Sequence, residues 1–480
     1  MSLDSIEYIF FLPVAFALYW TVPARKNTLR NALLVVLSYA FYAFADVRFC
    51  GLLALVSLLT YASGRAMHTL WGGRRAKAIA TTNVAVCLGI LFVFKYYGFF
   101  ASQIAPLIGA DDSIGSTAAS LVVPVGVSFY VFMAISYTVD RYKKVIEDSP
   151  SLTDFLAYIS FFPHLLAGPI DRGRDMIPQL QRQRTFRYGM AVDGMRQMLG
   201  GLFKKVVVAD TVAIIVNNVW NGYSQASTLM LVMAAVLYSV QIYADFSGYS
   251  DIAVGTGKLF GLQMRRNFAY PYFARNVSEF WRRWHMSLTS WFTEYLYIPL
   301  GGNRKGKART IVNTLIVFTL CGFWHGADWT YMVWGFLSGV LFVPLILSPR
   351  LKKRWHGQPS KLDVANIVAM FVTFTAVTAC WIVFRAPCME DAAGYVCSMF
   401  TNLQLPFDIS AYSSDAAVRT LSFLMLATMI VVEWRGRNCE YPLVLLQGKN
   451  VIVRRAVYVV IVLLVMLCVT SSDNFIYQNF

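Results

Sequence analysis

Long runs of apolar residues recur along the whole chain, and they restrict its possible folds more than any other feature. A helix needs about 20 apolar residues to cross about 30 Å of hydrocarbon. Runs that reach or approach this length lie at 6–21, 31–45, 49–63, 80–97, 121–137, 206–220, 228–244, 310–324, 329–347, 363–384, 418–432 and 455–470. With 57% hydrophobic and 14% charged residues, the chain has more apolar surface than a soluble protein can bury. The sequence therefore predicts an all-α, multi-pass membrane protein of about 12 helices, within a range of 10 to 13.

Charged residues are distributed unevenly between the loops that join these runs. Basic residues follow the first, third and fifth runs, at Arg25, Lys26, Arg30, Arg65, Arg74, Arg75, Lys77, Arg141, Lys143 and Lys144. The positive-inside rule assigns such loops to the cytoplasm. Acidic loops poor in basic residues are expected to face outward, and they contain Asp111, Asp112, Glu390, Asp391, Asp408 and Asp415. Topology thus explains most of the net charge of +16, and nucleic-acid binding is not expected.

Two runs depart from a simple membrane span. The run 206–220 is short, contains Asp210 and follows Lys204 and Lys205, so we expect this helix to be tilted or buried against protein. The run 155–170 is interrupted by prolines and glycine, at Pro163, Gly168 and Pro169. Broken backbone at membrane depth is tolerated only where it is buried or lines a cavity, so this run predicts a re-entrant segment.

The ends of the chain and its domain organisation follow from the same pattern. Asp4 and Glu7 lie where a signal peptide carries positive charge, so the first run is predicted to be a retained span. No autonomous soluble domain is evident, and residues 1–480 are expected to form one membrane domain. Its parts are N-terminal helices at 1–138, a core at 139–350 with the re-entrant and interfacial segments and candidate histidines, and C-terminal helices at 351–480.

The longest polar and aromatic stretch, 264–309, is predicted to lie on the cytoplasmic side. Within it, large apolar residues recur at helical spacing, namely Phe280, Trp281, Trp284, Leu288, Trp291 and Phe292. This periodicity predicts one amphipathic helix at the membrane interface.

Five histidines are the only side chains whose ordinary pKa lies near neutrality. His68 and His356, in basic loops, are expected to be ordinary surface residues. His325 interrupts two apolar runs, where an ionisable group is a functional candidate or, equally, a hydrogen-bonded structural residue. His285 is, on local grounds, an interfacial residue more readily than a catalytic one. His164, in the interrupted run, shapes a cavity or caps a broken helix.

Other charged residues and the cysteines allow a functional and a structural interpretation. Arg282 and Arg283 are suited to the phosphates of a coenzyme A donor, although topology explains most basic residues here. Asp245 and Asp251 are expected to form structural ion pairs with these arginines. Eight scattered cysteines without a CxxC pair indicate neither a disulfide framework nor a zinc site, and no metal site is predicted. HExxH and GxSxG motifs are absent from the sequence.

Several segments of the chain resemble the membrane-bound O-acyltransferase family. They are 124–130 (PVGVSFY), 162–169 (FPHLLAGP), 243–251 (YADFSGYSD), 266–268 (RNF), 281–285 (WRRWH), 297–303 (YIPLGGN), 324–326 (WHG) and 381–386 (WIVFRA). The likeness covers nearly the whole chain. It is strongest to the bacterial branch that contains the membrane subunit of alginate O-acetylation and relatives that acetylate peptidoglycan or cellulose.

The resemblance implies a ring of tilted helices around a thinned core, where a cytoplasmic acyl donor and an extracytoplasmic acceptor meet. It makes His325 the catalytic residue, with His285 as the family's second histidine. It also implies donor-binding roles for Arg282, Arg283 and Trp284, and a cavity lined by Trp324, Asp245, Tyr249 and His164. Asp328 departs from the asparagine usual in the family, which leaves that position with a role only in shaping the turn.

The expected function is transfer of an acetyl group from a cytoplasmic thioester, acetyl-CoA, which is a substrate and not a bound cofactor. The acceptor is an extracytoplasmic polysaccharide hydroxyl or a separate extracytoplasmic acyltransferase, and the surrounding partner is membrane lipid. The expected location is the bacterial cytoplasmic (inner) membrane. Two alternatives stay open: D-alanyl transfer toward teichoic acid from a carrier protein, and a non-enzymatic transporter or scramblase that does not depend on His325.

Overall fold

The computed structural model describes residues 2–70, 73–104, 122–348, 363–403, 406–411 and 416–469. Over these ranges the regular secondary structure is helical, without a strand. The α-helices are Ile6–Thr21, Asn27–Asp46, Cys50–Thr69, Arg74–Leu91, Tyr97–Ile104, Val127–Tyr142, Leu152–Ser160, Phe162–Leu165, Gly173–Gln181, Tyr188–Leu202, Asp210–Asn221, Thr228–Leu259, Val277–Trp281, Met286–Phe292, Gly306–His325, Trp329–Val340, Val343–Leu347, Val364–Arg385, Met389–Thr401, Ala416–Gly436 and Val451–Cys468. Each apolar run named above contributes to one or more of these helices, which confirms the all-α prediction.

Six helical stretches in the described part of the chain are long and apolar enough to cross a membrane. They are Asn27–Thr69, Arg74–Ile104, Thr228–Leu259, Trp329–Leu347, Val364–Arg385 and Val451–Cys468. The first of these contains two α-helices joined by a 3₁₀ turn at Val47–Phe49, so it corresponds to two of the predicted runs. Helix Ile6–Thr21 is apolar but has only 16 residues. The chain is thus a multi-pass membrane protein.

The contacts divide the chain into two compact units. The first contains residues 1–195 and 253–265, and the second contains 196–252 and 266–476. The predicted division into three regions of one domain stays a prediction. Of the residues singled out in the sequence, His356, Asp111, Asp112 and Asp415 lie outside the described residues.

Helix Val127–Tyr142 is central to the first unit, since nearly all of its residues are buried. Helices Cys50–Thr69 and Arg74–Leu91 pack against it. Asn83 donates to the hydroxyl of Thr138 over 2.7 Å, and such buried polar contacts hold helices together in lipid. His68, at the end of its helix, is exposed, as predicted for a surface residue.

The interrupted run at 155–170 forms two short helices in the first unit, Leu152–Ser160 and Phe162–Leu165. Pro163 lies in the first turn of the second helix, where its missing N–H has no cost. A Cβ on Gly168 would lie 2.4 Å from the Cα of His164, so the chain turns back too closely for any larger residue. Residues 157–170 are buried, and the re-entrant path stays a prediction.

The helix that begins at Thr228 continues to Leu259, well beyond the predicted end at 244. The acidic motif at 245–251 therefore lies inside a helix and not at its end. The predicted helix over 206–220 is preceded by a π-helical segment, Phe203–Ala209. Most side chains of both segments are buried, which confirms that this region packs against protein.

The interfacial segment differs from the prediction. The sequence indicated one amphipathic helix over 280–292, but the structure has two short helices, Val277–Trp281 and Met286–Phe292. They are interrupted at His285, whose backbone is left-handed with φ 41°. Burial on both sides explains the difference, because Glu279 and Trp281, which point to opposite sides of the first helix, are 4% and 6% exposed. A surface helix would leave one whole face in water or lipid head groups.

Candidate active site

His325 is the last residue of helix Gly306–His325, which we call the His325 helix. Helix Trp329–Val340, the partner helix, follows after three residues and packs along the His325 helix as a hairpin. Asp328 caps the partner helix, since its Oδ1 accepts from the N–H of Thr330 over 2.9 Å. The Trp-His-Gly motif is therefore the tight turn at the end of a helical hairpin.

The two helices of this hairpin approach each other through glycines. A Cβ on Gly322 would lie 2.1 Å from the carbonyl oxygen of Tyr331, and one on Gly335 would lie 2.3 Å from that of Phe318. Small residues at such contacts let helix backbones pack closely in membranes. Gly322 is one helical turn before His325, so this contact fixes the position of His325 along the helix axis and the direction of its side chain.

The His325 imidazole is enclosed by aromatic rings. Its centroid lies 5.0 Å from that of Trp324, 5.2 Å from Trp334 and 5.6 Å from Phe384. The residue is 1% exposed. Water is excluded by these rings, and electrostatic interactions inside such an enclosure are stronger than at a wet surface.

His285 lies beside His325 although 40 positions separate them in the sequence. The two imidazole centroids are 6.3 Å apart, and His285 is also 1% exposed. At this separation, both rings can contact one small reacting group. Burial lowers the pKa of His285 from its ordinary 6.5 to about 3, so its imidazole is neutral at pH 7 and can donate one hydrogen bond.

The left-handed backbone of His285 is held by the segment around Asn267. Met286 N–H donates to the carbonyl of Asn267 over 2.9 Å, and Ala269 N–H donates to the carbonyl of Arg283 over 3.0 Å. The N–H of Ser287 donates to the side-chain oxygen of Asn267 over 3.4 Å. A non-glycine residue at positive φ is a strained conformation that persists only where its surroundings impose it.

The two adjacent arginines have different environments. Arg283 is 7% exposed and donates to Glu279 over 2.5 Å, and Glu279 also binds Arg275 over 3.2 Å. Arg282 is exposed. Trp284, also predicted to bind the donor, is buried among Phe280, Phe268 and Trp381 with ring centroids 4.9–5.4 Å away.

Arg282 borders a cavity of about 530 Å³ in the second unit. Polar residues form part of its lining, including Asn303, Lys307, Thr310 and Thr314, and another part is apolar, including Val317, Phe318, Phe342, Leu345 and Ile346. A neighbouring cavity of about 290 Å³ has Trp281, Arg282, Thr289 and Thr293 in common with the first. A cavity of this size and mixed lining is typical of a site for a small organic ligand.

The other predicted cavity residues have varied positions. Asp245 forms an ion pair with Lys205 at 2.8 Å, and Asp251 accepts from Lys204 and, over 2.9 Å, from Gln197. Ion pairs are thus present, with lysines where arginines were expected. Tyr249 is buried in the same helix. His164 belongs to the first unit, fully buried, with its Nδ1 3.8 Å from Asp171.

Sequence reasoning missed several residues of this site. Three of them lie in motifs or in a basic stretch of the sequence but were assigned no role in the site: Asn267, Trp281 and Lys307. Trp334 and Glu279 were not noticed at all. The signal for Asn267 was its presence in the RNF segment, and the signals for Trp281 were the WRRWH segment and the helical spacing of apolar residues. Among the described residues, His, Cys, Asp and Glu do not form groups of three that could hold a metal ion.

Comparison with known proteins shows the family to which the chain belongs. Residues 37–384 match the sequence model of MBOAT, the membrane-bound O-acyltransferase family. The chain is 35% identical to a probable alginate O-acetylase, AlgI, of Azotobacter vinelandii, over 84% of this chain and 78% of the relative. It is 33% identical to a peptidoglycan O-acetyltransferase of Helicobacter pylori, over 80% of this chain and 76% of the relative.

A more distant relative is a teichoic acid D-alanyltransferase of Streptococcus thermophilus, which is 26% identical over 61% of this chain and 75% of the relative. The family match includes the His285 turn, the Trp-His-Gly turn and most of the described helices. The chain belongs to the membrane-bound O-acyltransferase family and is a membrane-bound O-acyltransferase.

Proposed function

We propose that this enzyme transfers an acetyl group from cytoplasmic acetyl-CoA, across the membrane, to a hydroxyl of an extracytoplasmic polysaccharide. The acceptor is reached directly or through a separate extracytoplasmic acyltransferase. The observation that carries this proposal is the pair of buried imidazoles, 6.3 Å apart, inside an aromatic enclosure. The names of the alginate and peptidoglycan O-acetylating relatives support an acetyl group and a polysaccharide acceptor.

His325 acts as the general base in this proposal. It takes the proton of the acceptor hydroxyl while the hydroxyl oxygen attacks the carbonyl carbon of the thioester. The resulting tetrahedral intermediate expels the thiolate, the C–S bond breaks, and the proton passes to the departing sulfur. Ester and free thiol are the products, so the proton on His325 is returned in each turnover.

His285 has the complementary role of orienting and polarising the donor. A group whose pKa is about 3 is a poor proton acceptor at pH 7, because an effective base has a pKa near the working pH. A neutral imidazole can instead donate a hydrogen bond to a carbonyl oxygen. The lowered pKa of His285 therefore favours the role of hydrogen-bond donor for this residue, and proton transfer is left to the neighbouring His325 in this proposal.

The donor-binding surface in this proposal is the 530 Å³ cavity. Arg282 and Lys307, both exposed cations in its lining, are suited to the phosphates of coenzyme A. Arg283 is engaged by Glu279, so we assign it to holding the segment 275–284 in place. Trp284 supports the same segment through aromatic packing. Basic loops on this side agree with a cytoplasmic donor and a bacterial inner membrane.

D-alanyl transfer from a carrier protein is the second candidate, because a teichoic acid D-alanyltransferase is among the relatives. The lower sequence identity to this relative makes D-alanyl transfer the weaker candidate. Both reactions use a thioester on a phosphopantetheine arm, so the two candidates are distinguished by which donor the enzyme accepts. A transporter or scramblase would consume no thioester.

The test uses purified protein in vesicles with radiolabelled acetyl-CoA or D-alanyl carrier protein and a soluble oligosaccharide acceptor. We expect acetyl transfer by the wild type and by His68→Ala, an exposed control, and none by His325→Ala. Cellular O-acetyl content of surface polysaccharide, at matched membrane abundance, should follow the same order. Full activity of His325→Ala would overturn the mechanism, and transfer from the D-alanyl carrier alone would establish the second candidate.

A further inference from the structure

Asn267 is almost completely buried, at 1% exposure, and lies beside the His285 turn. Its backbone carbonyl accepts from Met286 N–H over 2.9 Å, and its side-chain oxygen accepts from Ser287 N–H over 3.4 Å. These two donors belong to the residues that directly follow His285. The Asn267 side chain is therefore adjacent to the catalytic turn and has a defined orientation.

The orientation of the carboxamide follows from hydrogen bonding. The two ends of an asparagine amide are distinguished by their partners. The N–H of Ser287 requires an acceptor, so the oxygen faces Ser287 and the NH₂ group faces the other way. Within the described part of the chain, this Nδ2 is a buried donor without a hydrogen-bond partner.

A buried, unsatisfied donor is unfavourable, and it needs an explanation. The next residue, Phe268, belongs to an aromatic cluster: it contacts Phe246 and Trp284 with ring centroids 5.1 Å apart in each case. Phe246 in turn contacts the His285 imidazole at 4.7 Å. The segment that contains Asn267 thus packs against the ring that contacts His285, and an acceptor from a substrate bound there would satisfy the amide.

We propose that Asn267 is a catalytic residue whose Nδ2 donates a hydrogen bond to the carbonyl oxygen of the acyl donor. This inference rests on the proposed function. As the acceptor oxygen attacks, negative charge develops on that carbonyl oxygen, and a preorganised donor in a water-excluded site stabilises it. Asn267 and the neutral His285 then supply two donors, while His325 handles the proton.

The decisive variant is Asn267→Asp, which keeps an oxygen to accept from Ser287 N–H but removes the NH₂ donor. We expect kcat to fall by about 10²–10³-fold, as on loss of one oxyanion donor, with KM for the thioester close to wild type, while thermal stability falls because the new carboxylate is buried without a partner. Asn267→Ala loses both functions and should lower kcat and stability together. A purely structural role predicts near-wild-type kcat for Asn267→Asp, and that result would overturn the inference.

A second measurement reports the hydrogen bond in the bound complex and does not depend on turnover. The infrared stretch of a ¹³C=O-labelled acetyl thioester bound to the His325→Ala enzyme should shift to lower frequency than in water, because two donors polarise the carbonyl. The shift should be smaller in His325→Ala with Asn267→Asp. An unshifted carbonyl would refute this role of Asn267 while leaving acetyl transfer by the wild type intact. Absence of any transfer by the wild type would instead refute the proposed function.

Discussion

Replacing Gly322 by alanine should separate the two helices of the Trp-His-Gly hairpin and move His325. The added Cβ would lie 2.1 Å from the carbonyl oxygen of Tyr331, whereas real Cβ contacts are essentially never under 3.0 Å. The obstacle is backbone and not a flexible side chain, so the partner helix must move by roughly 1 Å, with a cost of about 1–3 kcal/mol, typical of overpacking.

The effect on catalysis should exceed the effect on stability. His325 lies one helical turn after Gly322, and a displacement of about 1 Å at a reacting group can reduce the rate by about 10²-fold. We expect Gly322→Ala to reduce acetyl transfer to that extent and to lower the midpoint of thermal unfolding in detergent by several degrees.

Gly89→Ala is the matched control. A Cβ on Gly89 meets nothing within 4 Å, and alanine is favoured over glycine within a helix by about 1 kcal/mol. This variant should be at least as stable as the wild type and equally active. The interpretation of the hairpin is refuted if Gly322→Ala shows wild-type transfer and an unchanged midpoint, since the backbone contact would then not constrain the turn.

Three further predictions follow from buried or exposed charges. Arg282→Gln should raise KM for acetyl-CoA about tenfold, the scale of one charged hydrogen bond, without changing thermal stability. Arg283→Gln should instead lower thermal stability because Glu279 loses a partner, and an equal rise in KM for both variants would contradict the assignment. Lys205→Met should destabilise the protein by about 3 kcal/mol or more because Asp245 keeps a buried charge. Adding Asp245→Asn should recover part of the loss in unfolding midpoint, and no recovery would show that Lys205 and Asp245 are not coupled. The pKa of His285 is about 3 in the folded protein, against an ordinary value of 6.5, so between these pH values only the unfolded chain binds this proton. The stability contributed by His285 is therefore level above pH 6.5 and falls as pH decreases below it. His285→Gln should show a shallower fall in stability between pH 7 and 5, and equal slopes for variant and wild type would refute the assignment.

Sequence alone predicted the helical membrane fold because apolar runs of span length have few other solutions. The same reasoning failed at 280–292, where helical spacing predicted one amphipathic helix. The interruption at His285 is imposed by hydrogen bonds that Asn267, 18 residues earlier, accepts from the N–H groups of Met286 and Ser287, and periodicity contains no information about such a contact. Local pattern also could not show that helix Thr228–Leu259 continues through the acidic motif, since Asp245 is stabilised there by Lys205 from another segment.

The pairing of the two histidines was accessible only through the family resemblance. Spacing left His325 with two equal interpretations and favoured a structural His285. Their proximity depends on the hairpin, the Asn267 contacts and the aromatic enclosure, all of which join residues far apart in the sequence. The different environments of Arg282 and Arg283 were likewise invisible, because neighbouring residues of one type differ here only in what packs against them.

The separation of buried from exposed cations has a kinetic consequence. Lys204, Lys205 and Arg283 are neutralised inside the protein, whereas the stretch 303–309, with Arg304, Lys305, Lys307 and Arg309, is exposed next to the cavity. A concentrated positive field at the mouth of a site accelerates the diffusional capture of an anion and weakens as ionic strength rises. Added salt should therefore slow the capture of donor while leaving the rate of the bound complex unchanged.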